Sequence, residues 1–255
     1  MTWDLGAGLE DRGVVVTGAT GGIGREVAKA FASAGAKLML VDVDAAACEQ
    51  LIGDLEGSGH SYRALDLSDV AAHDGLIEAA RVSLGEVYAL VHLAAVLRRQ
   101  ADVSDVTEGD WDLQVDTNLK ATFFLCRAAA ETMVRQGSGG RVITFTSQGW
   151  WTGGFGGSVV YNTTKGGIVT MTRGMARTYG RHNITFNSIA PAQVRTPMLL
   201  TDLDPKVLQA MTEATPLGRV AEPAEIAGLA VFLSSRHAGF ITGATVNITG
   251  GFLMY

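Results

Sequence analysis

The chain has 255 residues, 47% of them hydrophobic and 18% charged, with a formal net charge of −6 and a pI near 5.3. An acidic chain whose basic residues never run beyond Arg98-Arg99 argues against nucleic acid or an anionic membrane as the main partner. No stretch approaches the roughly 18 apolar residues of a membrane span. The opening MTWDLGAGLEDRG lacks the apolar run of a signal peptide, so a soluble, cytoplasmic protein is expected.

In chain order, Gly13–Thr17 is a short buried-strand pattern that ends in a glycine-rich turn, Thr17 to Gly24. An amphipathic helix follows, with Val27, Ala30, Phe31 and Ala34 on its apolar side. Residues 37–41 form the next strand, with Asp42 at its end. A helix over 45–55 leads to a strand over 61–65 that closes on Asp66. Another helix spans about 70–84, a fourth strand 87–93, and helical patterns run over 111–135. The run Val142 to Thr146 is the fifth strand, Tyr161 opens a helical pattern, and strands over 184–190 and 245–248 complete the series. Strands alternating with helices of this length predict right-handed βαβ units. The expected architecture is therefore α/β: a doubly wound, parallel, seven-stranded Rossmann sheet flanked by helices in one domain. Continuous apolar strands fit a sheet covered on both faces. Cys48 and Cys126, both in Ala-rich helical segments, are expected as small buried side chains and not as a disulfide.

Two clusters carry chemistry. Gly18, Gly22 and Gly24 stand between a predicted strand and a predicted helix, where glycines let the backbone approach a pyrophosphate at the helix N-terminus. Asp42, about 20 residues further on, is placed to accept both adenosine ribose hydroxyls and would repel a 2′-phosphate. With no Arg or Lys at 19–21 or just after Asp42, NAD is expected over NADP. Asp66, with Leu67, stands where it can bond adenine, or simply cap a turn. The second cluster is Ser147, Tyr161 and Lys165. An i, i+4 pair shares one helix face. A positive charge about 4 Å from a phenol, worth roughly 4 kcal/mol, could lower its pKa by up to ~3 units. Ser147 could bond the same substrate oxygen.

Together these residues resemble the short-chain dehydrogenase/reductase family over nearly the whole chain. The likeness rests on Thr17 to Gly24, on Asn118, Ser147, Tyr161 and Lys165, on the segment Asn187 to Met198, and on Pro223-Ala224-Glu225, Ile241-Thr242-Gly243 and Gly250-Gly251. The resemblance implies hydride transfer between nicotinamide and a carbinol or carbonyl carbon. Tyr161 would be the proton-transfer group, Lys165 its partner on the nicotinamide ribose, Ser147 the residue that polarises the substrate oxygen, and Asn118 the residue that kinks its helix and holds a proton-relaying water. Cofactor contacts are implied for Thr17, Gly18, Gly22, Ile23, Gly24, Asp42, Asp66, Leu67, Ala94, Tyr161, Lys165, Pro191, Val194 and Thr196; no metal is expected.

Two departures stand out. His92-Leu93-Ala94-Ala95 replaces the family's usual Asn-Asn-Ala-Gly, with His92 expected as a structural residue. Ala192 stands where Gly usually follows the proline. The spacing from Ser147 to Tyr161 is about one residue longer than usual, which leaves Thr146 and Gln148 as alternatives to Ser147.

Trp150, Trp151, Phe155 and Met198 are expected to line an apolar substrate pocket beneath a lid over about 192–215, which suggests a secondary alcohol or ketone of moderate size. For the tryptophans a subunit contact is the alternative. Arg98, Arg99 and Arg195 are expected as solvated loop residues, the alternative being an anion site for a carboxylate or a thioester carrier. A 3-oxoacyl-thioester reductase and a catalytically idle dinucleotide sensor are the other functional readings. The resemblance also implies a homotetramer.

Overall fold

The computed structural model describes residues 4–154, 157–201 and 204–254. Seven strands form one parallel sheet: β1 (Gly13–Thr17), β2 (Lys37–Asp42), β3 (Ser61–Ala64), β4 (Ala89–His92), β5 (Gly140–Phe145), β6 (Ile184–Pro191) and β7 (Thr245–Ile248), in the order β3-β2-β1-β4-β5-β6-β7. The direction of winding reverses between β1 and β4, and the crevice beyond the carboxyl ends of these strands is where such sheets bind ligands.

The period of two along each strand divides the core. Val14, Val16, Leu38 and Leu40 point to one face and join Val27 and Phe31 of helix α1 (Gly22–Ser33). Val15, Met39 and Val41 point to the other and join Ile77, Leu125 and Met133. Both faces are dry because helices cover both, as the unbroken apolar runs require. Cys48, in α2 (Ala45–Gly53), and Cys126 are buried free thiols.

Boundaries differ from expectation where side chains take over from periodicity. The third helix, α3 (His73–Leu84), starts after a separate short turn. The long pattern over 111–135 is α4 (Glu108–Val115), a π-helical turn (Asp116–Lys120) and α5 (Ala121–Gln136). Asn118 lies in that π-turn. Its Oδ1 accepts from the Val96 amide and its Nδ2 donates to the Val96 carbonyl, each at 2.8 Å. The helix is thus tied to the loop beyond β4, and single-turn π segments are frequent at functional sites.

Beyond β5 come the short α6 (Gly149–Thr152) and the long α7 (Val159–Tyr179). Beyond β6 come α8 (Pro197–Leu200), α9 (Pro205–Glu213) and α10 (Pro223–Ser234), the last packed against α1. Neither α8 nor α9 buries a residue. Among the described residues no helix is long and apolar enough to cross a membrane.

Candidate active site

The glycine turn is required by close approach. A Cβ on Gly18 would stand 2.7 Å from the Ala94 amide nitrogen, and its φ of +63° already favours glycine. A Cβ on Gly22 would stand 2.7 Å from Thr196 Cγ2, so the segment after β6 lies directly over the turn. No side chain caps the N-terminus of α1, which leaves backbone N–H groups and the positive end of the helix dipole for an anion. Asp42 Oδ2 accepts from the Thr20 amide at 3.0 Å and Oδ1 from the Val43 amide at 2.8 Å. The carboxylate is thus fixed at the rim of the turn with lone pairs to spare. These features fit a dinucleotide. Arg25, which the sequence reading passed over, donates Nε–H to the Thr20 carbonyl at 2.9 Å.

A cavity of about 510 Å³ runs from this turn to the carboxyl ends of β5 and β6. Gly18, Gly22, Ile23, Gly24, Ser147, Tyr161, Lys165, Pro191, Val194, Thr196 and Met198 all line it, so the two predicted clusters meet in one cleft. Ala192 also lines it and adopts an ordinary negative φ.

Other expected residues lie elsewhere. The Thr17 hydroxyl is buried against His92. Leu67 points into the core and its carbonyl accepts from His73. Asp66 is exposed and caps the Ser68 amide at 2.9 Å. Ala94 serves as packing against Gly18. Trp150 and Trp151 do not line the cavity; their rings meet edge to face at 5.3 Å, and Trp151 is 58% exposed. Neither indole is among the residues that line the cleft, unlike the pocket expected from their sequence position. Phe155 lies outside the described residues.

The ambiguity over Ser147 is narrowed by partners. Thr146 is buried and its hydroxyl donates to the Lys165 carbonyl at 2.7 Å. Among the described residues Ser147 Oγ accepts a 3.2 Å bond from the Gly149 amide and has no acceptor for its own proton, which is left for a ligand. Gln148 also lines the cavity, with its Oε1 buried and without a partner among the described residues. Asn162, next to Tyr161, was missed on sequence. It donates to the Ser158 carbonyl at 2.9 Å, and a Cβ on Gly149 or Gly154 would fall within 1.7 or 1.8 Å of its amide. That crowding shapes the loop that carries Ser147.

Burial governs the charges. Lys165 is almost wholly buried and donates to the Phe145 carbonyl at 2.8 Å; loss of water lowers its pKa to about 7. Burial pushes the Tyr161 phenol up to about 12, opposed by the charge of Arg99. The ammonium lies 5.3 Å from the Tyr161 ring centre. The expected depression of the phenol pKa by Lys165 is therefore absent from the protein alone. Desolvation disfavours both charged forms, and it outweighs their mutual attraction.

His92 behaves differently. Its Nδ1 lies 2.7 Å from Thr17 Oγ1 and its Nε2 lies 2.8 Å from Thr122 Oγ1. Thr122 gives its own proton to the Asn118 carbonyl at 2.6 Å, so it must accept from His92 Nε2–H. Thr17 in turn donates to Nδ1. One tautomer satisfies all four groups, and burial, followed by the charges of Lys165 and His73, holds the ring neutral with a pKa of about 3. His92 thereby ties the ends of β1 and β4 to the helix that carries Asn118.

The family profile described as enoyl-(acyl carrier protein) reductase matches residues 18–253. The chain belongs to the short-chain dehydrogenase/reductase family. Among its relatives is the (2S)-[(R)-hydroxy(phenyl)methyl]succinyl-CoA dehydrogenase subunit BbsD of Thauera aromatica, 32% identical over 96% of this chain and 97% of that one. Another is D-threitol dehydrogenase of Mycolicibacterium smegmatis, 34% identical over 99% and 96%. A solved short-chain dehydrogenase/reductase of Brucella melitensis, titled a glucose/ribitol dehydrogenase, superposes with a TM-score of 0.88 at 29% identity, covering 97% of this chain and 98% of that one. Short-chain dehydrogenases of this kind are oxidoreductases that use a nicotinamide cofactor, and these relatives act on different substrates.

Proposed function

We propose that the protein transfers a hydride between NAD and a secondary alcohol or ketone of moderate size. The observation that carries this reading is that Ser147, Tyr161 and Lys165 line the same cavity as the glycine turn. Asp42 at the rim of that turn favours NAD, since a second negative charge there would be repelled. The bound cofactor supplies the hydride acceptor and, when oxidised, a positive charge.

The chain does the rest. Ser147 Oγ–H donates to the substrate oxygen and polarises it. Tyr161 takes the carbinol proton in oxidation and returns it in reduction. Lys165 holds the ribose, and charging its amine brings the phenol pKa down from the value it has in the protein alone. Asn118 acts from behind, by holding the π-turn against Val96. The remaining cofactor contacts expected from the resemblance are read as packing where their side chains point away from the cleft. Residues 192–215, which include the lightly packed α8 and α9, act as the lid over the substrate.

The test is the initial rate of nicotinamide reduction over a panel of secondary alcohols, with NAD and NADP, for wild type and Tyr161→Phe. Removing a proton-transfer group lowers kcat by roughly 10²–10⁴-fold, while NADH binding is retained. Equal rates for the two proteins would refute the mechanism, and binding of NADH without any turnover would favour a sensor. A 3-hydroxyacyl thioester is the second reading, favoured by the CoA-thioester relative; preferential turnover of hydroxyacyl thioesters in the same panel would establish it. A homotetramer is proposed from the resemblance, and a monomer in light scattering at micromolar concentration would dismiss it. A cytoplasmic location is proposed as well.

A further inference from the structure

The substrate end of the cleft holds a cation that the redox chemistry does not use. Arg98, Arg99 and Arg195 look equivalent in sequence, and the structure separates them. Arg195 is paired with Glu222 at 2.8 Å. Arg98 and Arg99 are both exposed, but Arg98 helps hold the Asp110 carboxyl below its ordinary pKa and does not line the cavity. Arg99 does line it, beside Ser147, Tyr161 and the apolar side chains of Leu97, Met198 and Met211. No carboxylate pairs with Arg99 among the described residues.

Its backbone is pinned on both sides. The Arg98 amide donates to Gln114 Oε1 at 3.1 Å. The Gln100 amide bridges to the Gly157 carbonyl, and Gln100 Nε2 donates to Asp110 at 2.7 Å. Gly157 is there by necessity, since a Cβ would fall 2.0 Å from the Gln100 carbonyl oxygen. A guanidinium on a fixed loop, with no carboxylate partner among the described residues and with Leu97, Met198 and Met211 lining the same cavity, suits a planar carboxylate through two parallel N–H···O bonds. Arg99 is also close enough to Tyr161 for its charge to act on the phenol. A carrier phosphate, separated from the reacting carbon by the whole thioester arm, is too remote a partner for a residue in that position.

We propose that Arg99 is the carboxylate-binding residue of the substrate site, and that the substrate is a hydroxy acid whose free carboxylate lies a few atoms from the secondary carbinol. The assignment rests on the redox reading given above and narrows its substrate class. The apolar walls hold the carbon chain and Arg99 sets its direction, which points the carbinol at Ser147 and Tyr161.

The test is calorimetric binding of 3-hydroxybutanoate and 3-hydroxyhexanoate, and of their methyl esters, to the NADH complexes of wild type, Arg99→Met and Arg99→Lys. A hydroxy acid cannot react with NADH, so binding is read without turnover. Wild type is expected to bind the acids more tightly than the esters by roughly 10–100-fold, the range of a hydrogen bond to a charged group. Arg99→Met abolishes that difference and leaves the esters within about twofold, and Arg99→Lys recovers part of it. Equal binding of acid and ester by wild type, or an equal loss for both in Arg99→Met, overturns the assignment. Initial rates with NAD separate the two readings. Tyr161-dependent turnover of esters without acid preference removes the Arg99 assignment alone. Arg99-dependent binding with no turnover of either compound supports the assignment and removes the redox reading.

Discussion

Two buried polar groups lie at the carboxyl edge of the same sheet and have opposite fates. At the tips of β1 and β4, His92 has a partner on each ring nitrogen, and both partners are threonine hydroxyls. Past the tip of β5, Lys165 donates to the Phe145 carbonyl and lines the cavity together with Tyr161. Burial drives both His92 and Lys165 towards the neutral form. The histidine is satisfied in that form and becomes structure. The lysine, on the cavity wall, retains donors without a partner among the described residues, and becomes chemistry. Hydrogen-bond satisfaction, more than burial, separates a structural titratable group from a functional one.

The comparison can be broken most forcefully at His92. His92→Ala leaves a cavity and strips Thr17 of its partner, a combined loss of about 3 kcal/mol at pH 7, read as a lower urea midpoint with an unchanged slope. In wild type the unfolded chain binds a proton below about pH 6.5 that the folded chain refuses down to about pH 3. Stability therefore falls as pH drops through that window, by on the order of 4 kcal/mol if the fold survives to its lower end. The variant lacks this contribution, so the gap between the two proteins narrows in acid. A gap that stays constant down to pH 4.5 would mean that His92 titrates normally.

A second, slightly smaller effect sharpens the contrast. Lys165 is neutral above about pH 7 in the folded protein, whereas the unfolded chain keeps that proton to about pH 10.5. Cofactor-free protein therefore gains stability as pH rises from 7, with a slope of up to about 1.4 kcal/mol per pH unit from this group. The gain ends near pH 10, because the unfolded tyrosine then loses its proton while folded Tyr161 keeps its own to about 12. Saturating NADH should flatten the alkaline limb by charging Lys165, and leave the acid limb of His92 untouched. Thermal melts across pH, with and without NADH and in Lys165→Met, provide the check; an alkaline limb indifferent to both would place Lys165 among the structural groups.

The smallest effect concerns the indoles. Trp151 is well exposed and outside the cavity, so Trp151→Ala should change stability by within about 0.5 kcal/mol and leave kcat/KM nearly unaltered. A large fall in kcat/KM would return it to the substrate site.

Much of this site is legible in local patterns. Tyr161 and Lys165 share a helix face because four residues make about one turn, and Gly18 precedes a helix because the strand before it is an unbroken valine run. Asp42 stands at a strand end for the same reason. The kink at Asn118 was implied only by the family resemblance and not by local pattern, since the π-turn there is held by a bond to Val96, 22 residues away. Nor was the exclusion of Trp150 and Trp151 from the cleft legible, which only the folded chain shows. Arg99 differs from Arg98 by one position, and only the pinned loop brings one of them into the cavity.

The order of the elements and the alternation that calls for a parallel sheet were determined by the sequence itself, through periodicities and spacings that act within a few residues, while the meeting of the glycine turn with the Tyr161 helix needed the folded sheet. The neutral ring of His92, the lowered pKa of Lys165, the raised pKa of Tyr161 and the isolation of Arg99 were decided by the tertiary structure alone. Each depends on how much water is excluded and on which partners stand within 3–4 Å, and those partners come from distant parts of the chain.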